Sequence, residues 1–482
     1  MHPAYAELLT YIQDLAPTWR KTQHVGFAQL LGALLERPTL CETELARAWP
    51  TAAQPLHGRL KRLTRLLGNP RLDELALAQR WLKLSYHFSA DAPRLTDGRP
   101  LLPVLVDTTY FEPFACLLAS VPCGSRGLPI ALTTYHRTTL EACFPPEATW
   151  PTPHTVLPAP SRRRPSPAPS AAVVERWPSQ NRIEERLLQL VAHLVSPALR
   201  PVIVADRGFA RADLFRHLLA QQQDFVIRID AETHVQEHAF ALPAPAATVL
   251  ACPPGRRRWV PTGTYHSTER LPVHLLAVHD AEQAEPWYLA TALPDADAGE
   301  LLYRWRMRLE ATNRDFKTGV LLREGDDHHA LTQPLHLHRL LLALAAAEWL
   351  CALAGLQAYQ EFVLSVPPPA TPAGAPLEAL PAPAAAPAPF PPAPADEGPA
   401  MPPPVLPHRG PTPRLPPGLR RFAVRGWLSY VRLGLEVLRA PDLQLLLRRM
   451  LDWLGTYLWT YTPLWRPRQE RYRRLHWWPD AA

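Results

Sequence analysis

The spacing of apolar positions changes along the chain, and the changes divide it. Over residues 1–95 they recur at helical intervals, through 8–15, 25–35, 42–49, 56–67 and 72–84, which predicts an all-helical N-terminal domain. Near residue 100 the pattern shortens to buried-strand runs. Residues 101–106 predict a strand that delivers Asp107 at its C-terminal end, and residues 114–121 and 128–135 predict two more, joined by a stretch rich in turn residues. Helical spacing returns at 182–195. A second buried strand, 201–205, then ends in Asp206, followed by a helix at 210–222 and a strand at 225–229.

Three strands, helix, strand, helix, strand is the ribonuclease H-like α/β plan. In it the first and fourth strands are neighbours, so Asp107 and Asp206 approach each other although 99 residues separate them. Two carboxylates held close repel unless a divalent cation lies between them. The competing reading of either acid alone is a turn or cap residue at a strand end.

Residues 303–317 form the stretch with the densest chemistry. On a helix, Tyr303, Arg306, Glu310 and Lys317 fall at about 0°, −60°, −20° and −40°, one narrow polar stripe. Leu302, Trp305, Leu309 and Phe316 form an apolar back. A carboxylate between cations on one face suits a metal bound beside a phosphodiester.

Charge sharpens this picture. Lys and Arg number 51 against 44 Asp and Glu, and the basic residues cluster near Arg65, at Arg256 to Arg258, in the 303–317 helix and toward the C-terminus, which suits a polyanionic partner. In the helical domain, Thr39 and Glu42 have the form of a capping box opening one helix. The next helix leaves Arg59, Lys61, Arg62 and Arg65 outward, the pairing a helix-turn-helix DNA reader needs; a plain bundle with a basic face is the alternative. Six cysteines without paired spacing, and no secretory leader pattern, point to a reducing cytoplasm. The apolar run at 340–356 is broken by Glu348 and reads as a buried helix, so no membrane partner is expected.

Proline punctuates the rest. Residues 145–178, with Arg162 to Arg164, predict an exposed or disordered loop, and 365–418 a Pro/Ala-rich linker before a helical C-terminal segment, 419–482. Asp326, Asp327, His328 and His329 follow the charged helix in a polar stretch and read as solvated, with no ligation.

These residues carry a family resemblance. V-D-T-T at Val106 to Thr109, A-D-R-G-F at Ala205 to Phe209 followed by F-V-I-R, and Y-(2)-R-(3)-E-(6)-K at Tyr303, Arg306, Glu310 and Lys317 resemble the motifs of bacterial DDE transposases of the insertion sequence 4 family. The resemblance covers about residues 20–355. It implies a ribonuclease H-like catalytic domain over 100–355 with a β-rich insertion at about 231–286, between the N-terminal helices and the Pro-rich linker.

It further implies that Asp107, Asp206 and Glu310 hold two Mg²⁺ ions, with Mn²⁺ able to substitute, and that Tyr303, Arg306 and Lys317 grip element-end phosphates. Trp259, beside Arg256 to Arg258, becomes a candidate for base stacking, with a core tryptophan as the alternative. The expected partners are double-stranded DNA, as terminal inverted repeats and target, and a second copy of the chain on paired ends. The expected activity is cleavage and strand transfer, in a bacterial cytoplasm and on the nucleoid. A transposase-derived DNA-binding regulator that no longer cuts is the alternative.

Overall fold

The computed structural model describes residues 5–50, 54–88, 101–123, 126–150, 172–195, 199–237, 242–317, 333–362 and 430–439, with a few positions between 447 and 454. The linker at 365–418, Arg162 to Arg164 and Asp326 to His329 lie outside these residues.

Five helices open the chain: α1 (Tyr5–Leu15), α2 (Lys21–Glu36), α3 (Glu42–Ala48), α4 (Leu56–Leu67) and α5 (Glu74–Phe88). The Thr39–Glu42 capping box does not form. Thr39 Oγ1 instead accepts the Cys41 N–H at 3.0 Å, and Glu42 is drawn 2.8 Å from His336 in the later α10 (Pro334–Phe362). That diversion is tertiary: α10 is the post around which the N-terminal helices gather. Tyr11 donates to the Ala346 carbonyl at 2.9 Å, and the buried Glu74 carboxylate takes His338 at 2.8 Å and Arg339 at 2.9 Å. Burial opposes the Glu74 charge, yet His338 and Arg339 hold its carboxyl below the usual range. The stretch Pro334–Ala358 is long and apolar enough to cross a membrane, but its most apolar window is wholly buried inside the protein.

The described strands form one twelve-stranded sheet. Its meander is β1 (Leu101–Phe111), β2 (Phe114–Cys123) and β3 (Arg126–His136), followed by β4 (Glu141–Phe144) and β5 (Val173–Arg176). After α6 (Gln180–Leu194) come β6 (Arg200–Ala205), α7 (Ala212–Ala220) and β7 (Asp224–Ile229). Then follow β8 (His234–Glu237), β9 (Ala244–Pro245), α8 (Ala246–Val249), β10 (Arg256–Tyr265), β11 (Leu271–His279), β12 (Trp287–Thr291) and the long α9 (Ala296–Lys317). The spatial order is β5-β4-β3-β2-β1-β6-β7-β12-β11-β10-β8-β9.

One feature departs from the sequence expectation. The proline-rich stretch at 145–178 is not wholly a loop: Val173–Arg176 adds an edge strand to β4, and Arg186 of α6 stacks 4.0 Å from Trp150 and 5.9 Å from Trp177, tying both flanks down. The stretch at 231–286 carries β8 to β11, and β12 after it pairs antiparallel with β7, so the sheet runs on without a break.

A further helix, Tyr430–Arg439, lies on α10 and buries Val431, Leu435 and Leu438. Gly434 permits the approach, because a Cβ there would collide with the Cys351 backbone.

Candidate active site

Strand pairing puts the two aspartates side by side. β1 and β6 run parallel, and their last pair is Val106 with Ala205, so Asp107 and Asp206 are the next residue on each strand. β1 does not end at the acid as its apolar run predicts. It continues to Phe111 because β2 folds back on it, and only the parallel partner stops.

Asp206 also acts as the cap residue of its alternative reading. One of its oxygens accepts the Gly208 N–H at 3.0 Å, closing a short turn over Arg207–Phe209. A Cβ on residue 208 would come within 3.2 Å of that oxygen, tighter than most real contacts, so glycine suits the turn.

The third acid arrives on α9. Asp295 starts this helix by accepting the Asp297 N–H at 2.9 Å and the Ala298 N–H at 3.4 Å, and Arg314 and Lys317 lie in its last turn, where the helix dipole favours cations. Its apolar back, Leu302, Trp305, Leu309 and Phe316, is buried as the spacing predicts. Polar pins set its register on the sheet. Thr312 Oγ1 both accepts from the Gly127 N–H and donates to its carbonyl, each at 2.9 Å, and Asp315 takes Arg126 Nε at 2.5 Å. Gly127 gives the helix room, since a Cβ there would stand 3.3 Å from Leu309.

Four side chains then converge. Arg306 donates to Glu310 at 2.7 Å and stands 4.0 Å from the Asp107 carboxylate. Asn313, one turn beyond Glu310, donates to the same Asp107 oxygen at 2.8 Å. Burial, then Asp206, and more weakly Glu310, push the Asp107 carboxyl up to about 6, against the pull of Arg306 and the Thr108 N–H. Burial works against the Arg306 charge, but Tyr303, Asp107, Glu310 and Asp206 outweigh it and keep its proton held more tightly than usual.

The remaining expected site residues are distributed less simply. Tyr303 is only 2% exposed, packed edge-on against Trp287 at 5.0 Å and 6.0 Å from the Arg306 guanidinium, so it supports that arginine from below. Burial raises its phenol pKa, with Arg306 and Arg228 pulling the other way. Lys317, half-buried, is the last described residue of α9.

On α4, Arg62 and Arg65 are exposed, whereas Arg59 is turned inward and donates to the Arg47 carbonyl at 2.9 Å, joining α4 to α3. Trp259 is half-buried against the core and stacks on His274 at 5.4 Å. Of its neighbouring arginines, Arg257 pairs with Asp297 and Arg258 with Glu237.

Carboxylates are the donor chemistry that hard divalent cations take. Burial is the main reason for the raised proton affinity of Asp107 and the nearby Asp206 the next, and a cation would offset both. Among the described residues, however, no three His, Cys, Asp or Glu side chains stand close enough to form a metal-binding group, and Arg306 occupies one Glu310 oxygen. The donor chemistry therefore fits a metal, while Glu310 is engaged elsewhere.

Asn313 is the site residue that the sequence reading misses. On the helical wheel it falls at about −80°, next to Arg306 at the edge of the polar stripe, so the same periodicity could have found it.

Residues 179–347 match the family model described as a transposase DDE domain. The matched span includes Asp206 and Glu310 and leaves Asp107 and the N-terminal helices outside it. None of the curated proteins matches the chain. Over residues 179–347 the chain is similar to a transposase DDE domain.

Proposed function

We propose that this chain is a DNA transposase of the insertion sequence 4 type that cuts DNA at its element's ends and joins them to a target by metal-dependent, in-line transesterification. The observation that carries the reading is that Arg306 reaches both Asp107 and Glu310, while Asp206 ends the strand parallel and adjacent to the one that carries Asp107. The sheet order β3-β2-β1-β6-β7, with β1, β6 and β7 parallel, supports a ribonuclease H-like core.

Asp107, Asp206 and Glu310 would hold Mg²⁺, or Mn²⁺ in its place, and the bound ions would activate the attacking oxygen and stabilise the leaving one. The chain's own residues prepare that arrangement. Arg306 now neutralises Glu310 and part of Asp107. An incoming phosphate competes for its planar guanidinium as a bidentate acceptor, and each shift toward phosphate frees the Glu310 oxygen. Tyr303 fixes the arginine's base, and Lys317 offers a second cation at the helix end. Arg62 and Arg65 on α4 supply exposed positive charge for the DNA flanking the cut. A second copy on the paired end, and a bacterial cytoplasm as the place of action, belong to the same reading.

The test is to incubate the full chain with duplex DNA carrying the terminal inverted repeats that flank its coding sequence, with Mg²⁺ or Mn²⁺. The reading requires nicks that expose 3′-hydroxyls at the element boundary, followed by joined products. Absence of any cleavage with either ion counts against it.

A further inference from the structure

Asp107 sits among three formally charged neighbours, yet the side chain with the shortest hold on its Oδ2 is neutral: Asn313 Nδ2 donates at 2.8 Å, while Arg306 stays 4.0 Å away and spends its hydrogen bond on Glu310. The other Asp107 oxygen accepts the Thr108 N–H at 2.9 Å. Among the described residues each oxygen of the aspartate thus has one donor, and of the two only Asn313 comes from another element.

Asn313 shares α9 with Glu310 and Arg306, at i+3 and i+7, and α9 is pinned to the sheet one residue away by Thr312. Its own carbonyl oxygen is buried with no hydrogen-bond partner among the described residues, a cost that packing alone does not explain.

We propose that Asn313 is a positioning residue: its amide ties the Asp107 carboxylate on β1 to α9, and so fixes the distance between the strand that carries one acid and the helix that carries another. The proposal rests on the reading of these acids as a metal-binding set. Being neutral, the amide orients the carboxylate without competing with a cation for its charge, as a second arginine would. A neutral donor to a liganding carboxylate is the kind of outer contact whose loss costs about 10- to 100-fold in metal affinity or activity.

The experiment uses the full chain and the variants Asn313→Leu, which keeps the size and removes the donor, and Asn313→Asp, which keeps the shape and replaces the donor with an acceptor. Mn²⁺ binding without DNA is followed by electron paramagnetic resonance, and DNA cleavage is followed separately as kcat and as KM for DNA. Asn313→Leu should weaken Mn²⁺ binding by about tenfold or more and lower kcat with KM for DNA unchanged. Asn313→Asp should be no better than Asn313→Leu. Wild-type Mn²⁺ affinity in Asn313→Leu overturns the proposal, and tighter binding in Asn313→Asp overturns it in favour of direct ligation by residue 313.

A double-mutant cycle between Asn313→Ala and Asp107→Ala, read from metal-free denaturant midpoints, separates this proposal from the functional reading. Non-additive midpoints support the tie even if the wild type neither binds metal nor cuts DNA. Additive midpoints remove it even if the enzyme is active.

Discussion

Arg306 donates a 2.7 Å hydrogen bond to Glu310, so the cation expected to meet DNA and the acid expected to meet metal are bound to each other. Arg306→Ala should therefore act on DNA binding more than on the fold. Removing one phosphate contact makes the dependence of log K on log salt shallower by about one. Arg306→Lys should not restore the wild-type affinity, because a point charge does not replace the planar fork. A salt titration of binding to end-containing DNA decides it: an unchanged slope in Arg306→Ala means this arginine does not touch phosphate.

The gathered acids should leave a signature in metal-free stability. The Asp107 carboxyl is pushed up to about 6 by burial and Asp206, above the 3.8 of a free aspartate, so the folded chain binds this proton more tightly than the unfolded chain. Its contribution is full below about pH 3.8 and is lost as pH rises through about 6. Asp107→Asn should be the more stable protein at pH 7.5, by up to about 3 kcal/mol, with the difference gone below about pH 3.8. Asp73 is raised to about 6 as well, chiefly by burial, so the difference between the two proteins is the quantity to measure. Denaturant unfolding at a series of pH values provides it, and a constant difference would contradict the account.

Behind α9, Glu348 is fully buried, and neither of its carboxylate oxygens has a hydrogen-bond partner among the described residues. Burial, and then Asp315, drive its pKa well above the usual value, so the acid is carried neutral and its stabilising protonation is lost as pH rises. Glu348→Leu should stabilise the chain at alkaline pH by about 1–3 kcal/mol and do less at pH 4. Equal melting shifts at both pH values would argue that Glu348 is not a buried acid.

The three arginines of α4 should separate. Arg62→Ala and Arg65→Ala leave thermal stability within about 0.5 kcal/mol and weaken DNA binding. Arg59→Ala costs about 1 kcal/mol of stability through its lost bond to the Arg47 carbonyl. Melting and DNA titration on the same three proteins distinguish the roles, and equal behaviour of all three would remove the distinction.

Periodicity made much of this legible, because periodicity reports which side of an element is buried. It placed Leu302, Trp305, Leu309 and Phe316 on the inner side of α9, and it ordered the strands so that Asp107 and Asp206 met. What it missed depends on long-range partners. Glu42 has the local form of a capping residue, yet His336, 294 residues away, takes its carboxylate. Arg59 lies with its neighbours on a basic helix, yet a carbonyl on α3 turns it inward. Tyr303 belongs to the polar stripe by angle and is nonetheless buried, since β12 brings Trp287 against it. Asn313 was within reach of the wheel, but its bond to Asp107 depends on where α9 crosses β1.

The central claim is that Asp107, Asp206 and Glu310 act as one metal-dependent unit on DNA. The most direct measurement compares Mg²⁺-dependent cleavage of end-containing DNA by wild type with that by Asp107→Asn, Asp206→Asn and Glu310→Gln, each confirmed to fold by its melting curve. Each variant should bind the DNA and lose cleavage by at least about 10²-fold, with the double variants no worse than the singles. Cleavage at the wild-type rate by any one of the three would contradict it.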